Sequence, residues 1–133
     1  MNSIRIAGLI VLLLAGTQVL SQSNNVVEQV KESIKAGSAK DLVKYLNASV
    51  DVNIDNKPQT YSKAQAEFVF RDFFKNNPPS EFNIIHQGSS KGGQPFAIGH
   101  YKSGSNSFRI WMKIKTAGNQ SLVHEISISP VKE

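Results

Sequence analysis

The sequence predicts an α+β domain in which a curved antiparallel sheet wraps a long helix, in the order α-α-β-α-β-β-β-β. Three observations predict it. Apolar residues recur at helical spacing in the first part of the chain, with one alternating strand among them. A capping box opens a phenylalanine-rich amphipathic helix that Pro78-Pro79 ends. Beyond Pro79 there are only apolar segments split by Gly-, Ser- and Asn-rich breaks, and connections that short favour an antiparallel meander.

Each element follows from its residues. Asn24-Asn25 precedes Val26, Val27, Val30 and Ile34, an apolar stripe that Gly37 closes. Ser38, with Asp41 three positions on, starts a short second helix with Leu42, Tyr45 and Leu46 on its apolar side. Val50, Val52 and Ile54 alternate with Asp51, Asn53 and Asp55, the period of a half-buried strand. Lys57-Pro58 reads as a loop. Ser62 and Gln65 form the box that opens the third helix, whose Ala66, Val69, Phe70, Phe73 and Phe74 line one side. Glu67 and Arg71 form an i,i+4 pair on the other side. Strands are expected over 81–87, 95–102, 107–115 and 121–129.

The N-terminus reads as an export signal over residues 1–21: Arg5 supplies the positive start, Ile6 to Leu14 the apolar core, and Val19-Leu20-Ser21 the cleavage site. That run is about half the roughly 20 residues of a membrane span, so no lasting anchor is expected. Residues 22–133 then form one domain in the periplasm or outside the cell. The 133-residue chain contains no cysteine, which excludes disulfides, thiol chemistry and Cys-ligated zinc. Loss of Arg5 with the leader leaves 14 basic against 10 acidic side chains, a net +4. The lysines are dispersed rather than clustered, so no nucleic-acid partner is predicted.

The opening helix (Val26, Val27, Val30, Ile34), the phenylalanine-rich third helix, Gly99-His100-Tyr101 and Phe108-Arg109-Ile110 resemble an uncharacterised exported Bacteroidetes family, domain of unknown function 4783. The order of elements is similar to the nuclear transport factor 2-like superfamily, a cystatin-like α+β roll. The resemblance implies a sheet wrapped on the long helix, with a concave side that often forms a pocket. That superfamily contains isomerases, dehydratases, ligand binders and assembly domains, so the fold does not choose among them.

Strand alternation sorts the remaining side chains. Phe82, Ile84, Phe96, Ile98, Phe108, Ile110, Met112, Ile114, Leu122, Ile126 and Ile128 are expected to face the helices, and His86, His100 and His124 fall on that same phase. Three converging imidazoles suit zinc, but no two sit at a local ligand spacing, and neither a metal nor another cofactor is predicted. Asp51, Asp55, Glu67 and Glu125 all point away from the core, which leaves His100 or His124 as the residues for a general base and no catalytic set. The segment 89–93 lacks the full phosphate-loop pattern and reads as a hairpin loop.

The outer face is expected to carry Ile85, Tyr101, Arg109, Trp111 and Val123, flanked by Lys113 and Glu125. Trp, Tyr and Arg dominate interface energetics. The sequence therefore predicts a non-enzymatic binding domain whose outer sheet face meets a second copy, as a twofold homodimer, or another protein. The alternative is a small-ligand or isomerase/dehydratase-like pocket between the third helix and the sheet, walled by Phe70, Phe74, Ile110 and Met112, with His86, His100 and His124 as its polar groups.

Overall fold

The computed structural model describes residues 18–132, with side chains from Asn25 onward. The leader expected over residues 1–21 lies outside the described residues up to position 17. Its last four positions, including the expected cleavage point, begin helix α1 (Gln18–Lys35). After α1 come α2 (Ala39–Leu42), a 3-10 turn (Val43–Tyr45), β1 (Leu46–Ile54), β2 (Lys57–Ser62), α3 (Lys63–Asn76), β3 (Glu81–Ser89), β4 (Pro95–Ser103), β5 (Asn106–Ala117) and β6 (Gln120–Val131). The strands form one curved, unclosed sheet in the order β2-β1-β6-β5-β4-β3. β3 to β6 make the expected antiparallel meander, and β1 lies parallel to β6. Among the described residues, no helix is long and apolar enough to cross a membrane.

The helices form where the periodicity places them. Val27, Val30 and Ile34 are buried along α1, and Ala66, Phe70, Phe73 and Phe74 along α3. Ser38 Oγ accepts from Asp41 N–H at 3.1 Å, as its capping position requires. At the start of α3, Ser62 Oγ accepts from Gln65 N–H at 3.3 Å while Gln65 Oε1 accepts from Ser62 N–H at 3.0 Å. This reciprocal box satisfies two donors that the first turn leaves open. Ser62→Ala is expected to cost about 1 kcal/mol and to lower the melting temperature by about 5 °C. An unchanged thermal melt would show that the box does not hold the helix start.

Both long helices lie on one face of the sheet, α1 across β3, β5 and β6, and α3 across β1 and β2. The core between the layers is continuous, from Val50 and Val52 through Ile126, Ile128, Ile110, Met112 and Ile114 to Phe82. Burying each large side chain contributes on the order of 1.5–3 kcal/mol, which is how a domain without disulfides holds together.

Four features differ from the sequence expectation. Lys57-Pro58 is not a loop but the start of β2, a sixth strand joined to β1 through Asp55-Asn56. Both of these residues have positive φ, 54° and 61°, as a two-residue type I′ hairpin connection requires. Leu46 belongs to β1 rather than to the second helix. β3 bulges, its pairing with β4 shifting between Ile84 and His86, and β6 bulges where its pairing with β5 passes from Glu125 to Val123. β4 runs in the opposite phase to the one expected: Ala97, Gly99, Tyr101 and Ser103 are buried against the helices, and Phe96, Ile98 and His100 lie on the other side.

Candidate functional site

Pairing register places the outer side chains in rows that cross the whole sheet. One row runs His86, Ile98, Trp111, Ser127, Asn53 and Pro58 from β3 to β2. The next runs Gly88, Phe96, Lys113, Glu125, Asp51 and Thr60. The face therefore has two halves. Over β3, β4 and β5 it carries an apolar and aromatic patch, with Arg109 and Lys113 on either side of Trp111; over β6, β1 and β2 it is polar and charged. Trp111 stands where they meet.

The apolar half is built by cross-strand contacts. The Phe96 ring meets Trp111 edge-on at 6.5 Å between centroids and His86 at 5.5 Å. Phe96 also covers Gly88, where a side chain would come within 3.3 Å of its ring. Ile85, the extra residue of the β3 bulge, is 58% exposed, and Trp111 is 37% exposed. None of this apolar surface is covered by a helix of the chain among the described residues, because α1 and α3 both lie on the far side of the sheet.

The polar half is a groove of about 530 Å³ with Trp111 at one side. Asp51, Val52, Asn53, Pro58, Gln59, Thr60, Lys113, Glu125 and Ser127 line the rest. Thr60 Oγ1 donates to Asp51 Oδ1 at 2.6 Å. Lys113 Nζ lies 3.2 Å from Glu125 Oε2 and 4.8 Å from the centroid of the Trp111 ring. A half-exposed pair of this kind contributes less than about 1 kcal/mol, so its effect is to hold the ammonium over the indole and to cancel one acidic charge. Asn53 Oδ1 is buried without a hydrogen-bond partner among the described residues.

The expected site residues divide sharply. Trp111, Arg109 and Ile85 are on the outer face and exposed. Tyr101 and Val123 are not: both are 0% exposed and face the helices. Tyr101 moves because β4 is in the opposite phase, and Val123 because the β6 bulge reverses alternation on its side of His124. The same bulge places Leu122 outward.

The seven residues expected to line one pocket lie on opposite sides of the sheet. Phe70, Phe74, Ile110 and Met112 are core, none more than 7% exposed. His86 is paired with Ile98 and stacked near Phe96, beyond the β3 bulge. His100 lies beside Arg109 in the β4–β5 register. His124 Nε2 meets Gln94 Nε2 at 3.1 Å, while its Nδ1 is buried without a partner among the described residues. The described residues contain no group of three or more His, Asp or Glu side chains placed to hold a metal ion.

Sequence reasoning missed the groove because it missed β2. The signal was Asp55-Asn56, two residues that tolerate positive φ between two runs of strand-forming composition. Reading that hairpin brings Thr60 opposite Asp51 and Pro58 opposite Asn53, which is the outer wall of the groove.

The family described as Domain of unknown function (DUF4783) matches residues 27–129. The crystal structure of a DUF4783 family protein from Bacteroides uniformis is similar at 32% identity and a TM-score of 0.73, over 80% of this chain and 97% of that one. An NTF2-like protein of unknown function from Shewanella baltica matches at 12% identity and a TM-score of 0.66, over 88% of this chain and 97% of that one. A domain of unknown function with a cystatin-like fold from Nostoc punctiforme matches at 6% identity and a TM-score of 0.63, over 82% of this chain and 75% of that one. The last two likenesses concern the fold alone. No curated protein matches the chain.

Proposed function

The chain belongs to the DUF4783 family, and we propose that it acts there as an exported, non-enzymatic binding domain that pairs with a second copy of itself through the outer sheet face. The observation that carries this reading is the apolar half of that face. Ile85, Phe96, Ile98 and Trp111 form one surface on the side of the sheet away from both long helices. A sheet face meeting its own copy about a twofold axis is self-complementary, the commonest form of a small assembly. Arg109 sits at the rim, where charge sets register more than affinity. A non-enzymatic role is consistent with a helix–sheet interior filled by Phe70, Phe74, Ile110 and Met112.

The test is sedimentation of protein recovered from the periplasm of expressing cells, whose mature N-terminus is expected at Gln22. A dimer is expected, with Trp111→Ala and Ile85→Asp each weakening it by about thirtyfold or more while far-UV circular dichroism stays unchanged. A monomer at tens of micromolar, or a dimer that ignores both substitutions, would overturn the association reading. Retention of the protein in the cytoplasm with an uncut N-terminus would overturn export.

A further inference from the structure

We propose that the groove between Trp111 and β2 binds a neutral polyhydroxylated ring, a sugar residue of a glycan. This goes beyond the association reading: the two share Trp111 at the boundary of the halves, but the groove's polar wall, Asp51, Asn53, Gln59 and Thr60, lies outside the apolar surface.

The chemistry of the lining selects the ligand class. At about 530 Å³ the groove lies within the roughly 300–1,000 Å³ of small-molecule sites. An anion is disfavoured. The groove's two carboxylates, Asp51 and Glu125, outnumber its single cation, and Lys113 is already paired with Glu125 at 3.2 Å. A metal ion is disfavoured too, since the described residues bring together no set of ligands for one. A purely apolar ligand would strip water from Asp51, Asn53, Gln59 and Thr60 and return no hydrogen bonds.

A sugar ring meets all of these constraints. Its hydroxyls both donate and accept, matching carboxylate, amide and ammonium groups set side by side. Its C–H face carries weak positive charge and stacks on the electron-rich face of an aromatic ring, here the partly exposed indole of Trp111. Two details strengthen the match. Thr60 Oγ1, 2.6 Å from Asp51 Oδ1, fixes that carboxylate before any ligand arrives, which lowers the ordering cost of binding. Gln59 and Asn53 add side-chain amides to the lining, groups of the kind that complement hydroxyls. Lys113 Nζ, over the indole at 4.8 Å, sits on a flexible stem that a stacking ring displaces toward the ligand's own hydroxyls.

Trp111 is the only tryptophan of the chain, so at a fixed protein concentration its emission reports events at the groove. The experiment is a fluorescence titration of the full protein with maltose, cellobiose, lactose and N,N′-diacetylchitobiose, each to about 10 mM, a range that covers sub-millimolar dissociation constants. At least one sugar is expected to give a saturable shift. The exposed-residue variants Asp51→Ala and Gln59→Ala are expected to weaken it about tenfold or more, a loss of about 1.4 kcal/mol. Inorganic phosphate is expected to give no response. The same titration on Ile85→Asp separates the two readings: that variant is altered only on the apolar half and leaves Trp111 uncovered, so it is expected to bind sugar at least as tightly as the native chain, and more tightly if the native chain pairs through Trp111. No saturable response to any sugar in either protein would overturn the proposal. So would a response that Asp51→Ala and Gln59→Ala leave intact, or a response to phosphate but to no sugar.

Discussion

Replacing Tyr101 with alanine is expected to destabilise the domain by about 3–5 kcal/mol and to lower its melting temperature by about 15 °C. Tyr101 is 0% exposed, and its ring lies among Phe73, Phe74, Phe82 and Phe108 at centroid distances of 5.5, 6.4, 6.2 and 6.0 Å. Those four rings come from α3, β3 and β5, so the side chain joins the helix layer to both neighbouring strands. Its hydroxyl donates to the carbonyl of Asn77, at the C-cap of α3 just before Pro78-Pro79. Tyr101→Phe keeps the ring and removes only that donor, and the expected loss is about 1–2 kcal/mol.

Alkaline pH separates the two substitutions from wild type in another way. Burial pushes the Tyr101 phenol well above its ordinary value, so the folded protein keeps the proton while the unfolded chain releases it near pH 10. Above that pH the unfolded state binds fewer protons, and stability falls as pH rises. Below it this group contributes no slope. Wild type is therefore expected to lose stability between pH 10 and 11 more steeply than Tyr101→Phe, as read by urea melts at fixed pH. Equal slopes would mean that the phenol titrates normally in the folded state, and an Ala variant melting with wild type would mean that the ring is not a keystone of the core.

Gly99→Ala is the second substitution expected to do large damage, about 1–3 kcal/mol and about 5–10 °C in melting temperature. Gly99 is buried on the helix side of β4. A methyl group there would sit 2.3 Å from Cε1 and 2.4 Å from Cζ of Phe82, and 3.2 Å from the Asn83 carbonyl oxygen. Phe82 is only 1% exposed, so its ring has nowhere to go without disturbing Tyr101 and α1. The absent side chain is what lets the Phe82 ring approach β4 this closely, as only glycine permits. A double-mutant cycle tests this cause directly. Gly99→Ala combined with Phe82→Ala should cost at least about 1 kcal/mol less than the sum of the single changes. Additive losses would assign the damage to the strand backbone instead.

These residues also explain what the candidate site owes to the third dimension. On β5 the alternation is legible: Ile110, Met112 and Ile114 are buried and Trp111 is exposed, so the centre of the outer face could be read from the chain. On β4 it is not. Pro95 to Tyr101 carries apolar residues on both phases; Ala97, Gly99 and Tyr101 face the helices while Phe96 and Ile98 face outward, and on the inner phase Phe82 leaves no room for a side chain at position 99. At Ile85 and His124 one extra residue in a strand turns every later side chain to the other face, and such an insertion leaves no mark in composition. His86 and His124 were misplaced for that reason, and with them the expected helix-side pocket.

What the sequence by itself determined about this protein is what local chemistry governs: α1 and α3 with their buried stripes, the Ser62–Gln65 cap, the stop at Pro78-Pro79, the meander of β3 to β6 and the exposure of Trp111. Helical periodicity and capping act between residues three or four apart, so they survive in a one-dimensional reading. What only the tertiary structure decided is which face of β4 meets the helices, where β3 and β6 bulge, and that β2 stands beside β1 to wall a groove. Those outcomes are set by contacts between distant segments, Gly99 with Phe82, Tyr101 with Asn77 and Thr60 with Asp51, in which volume and register override hydrophobicity.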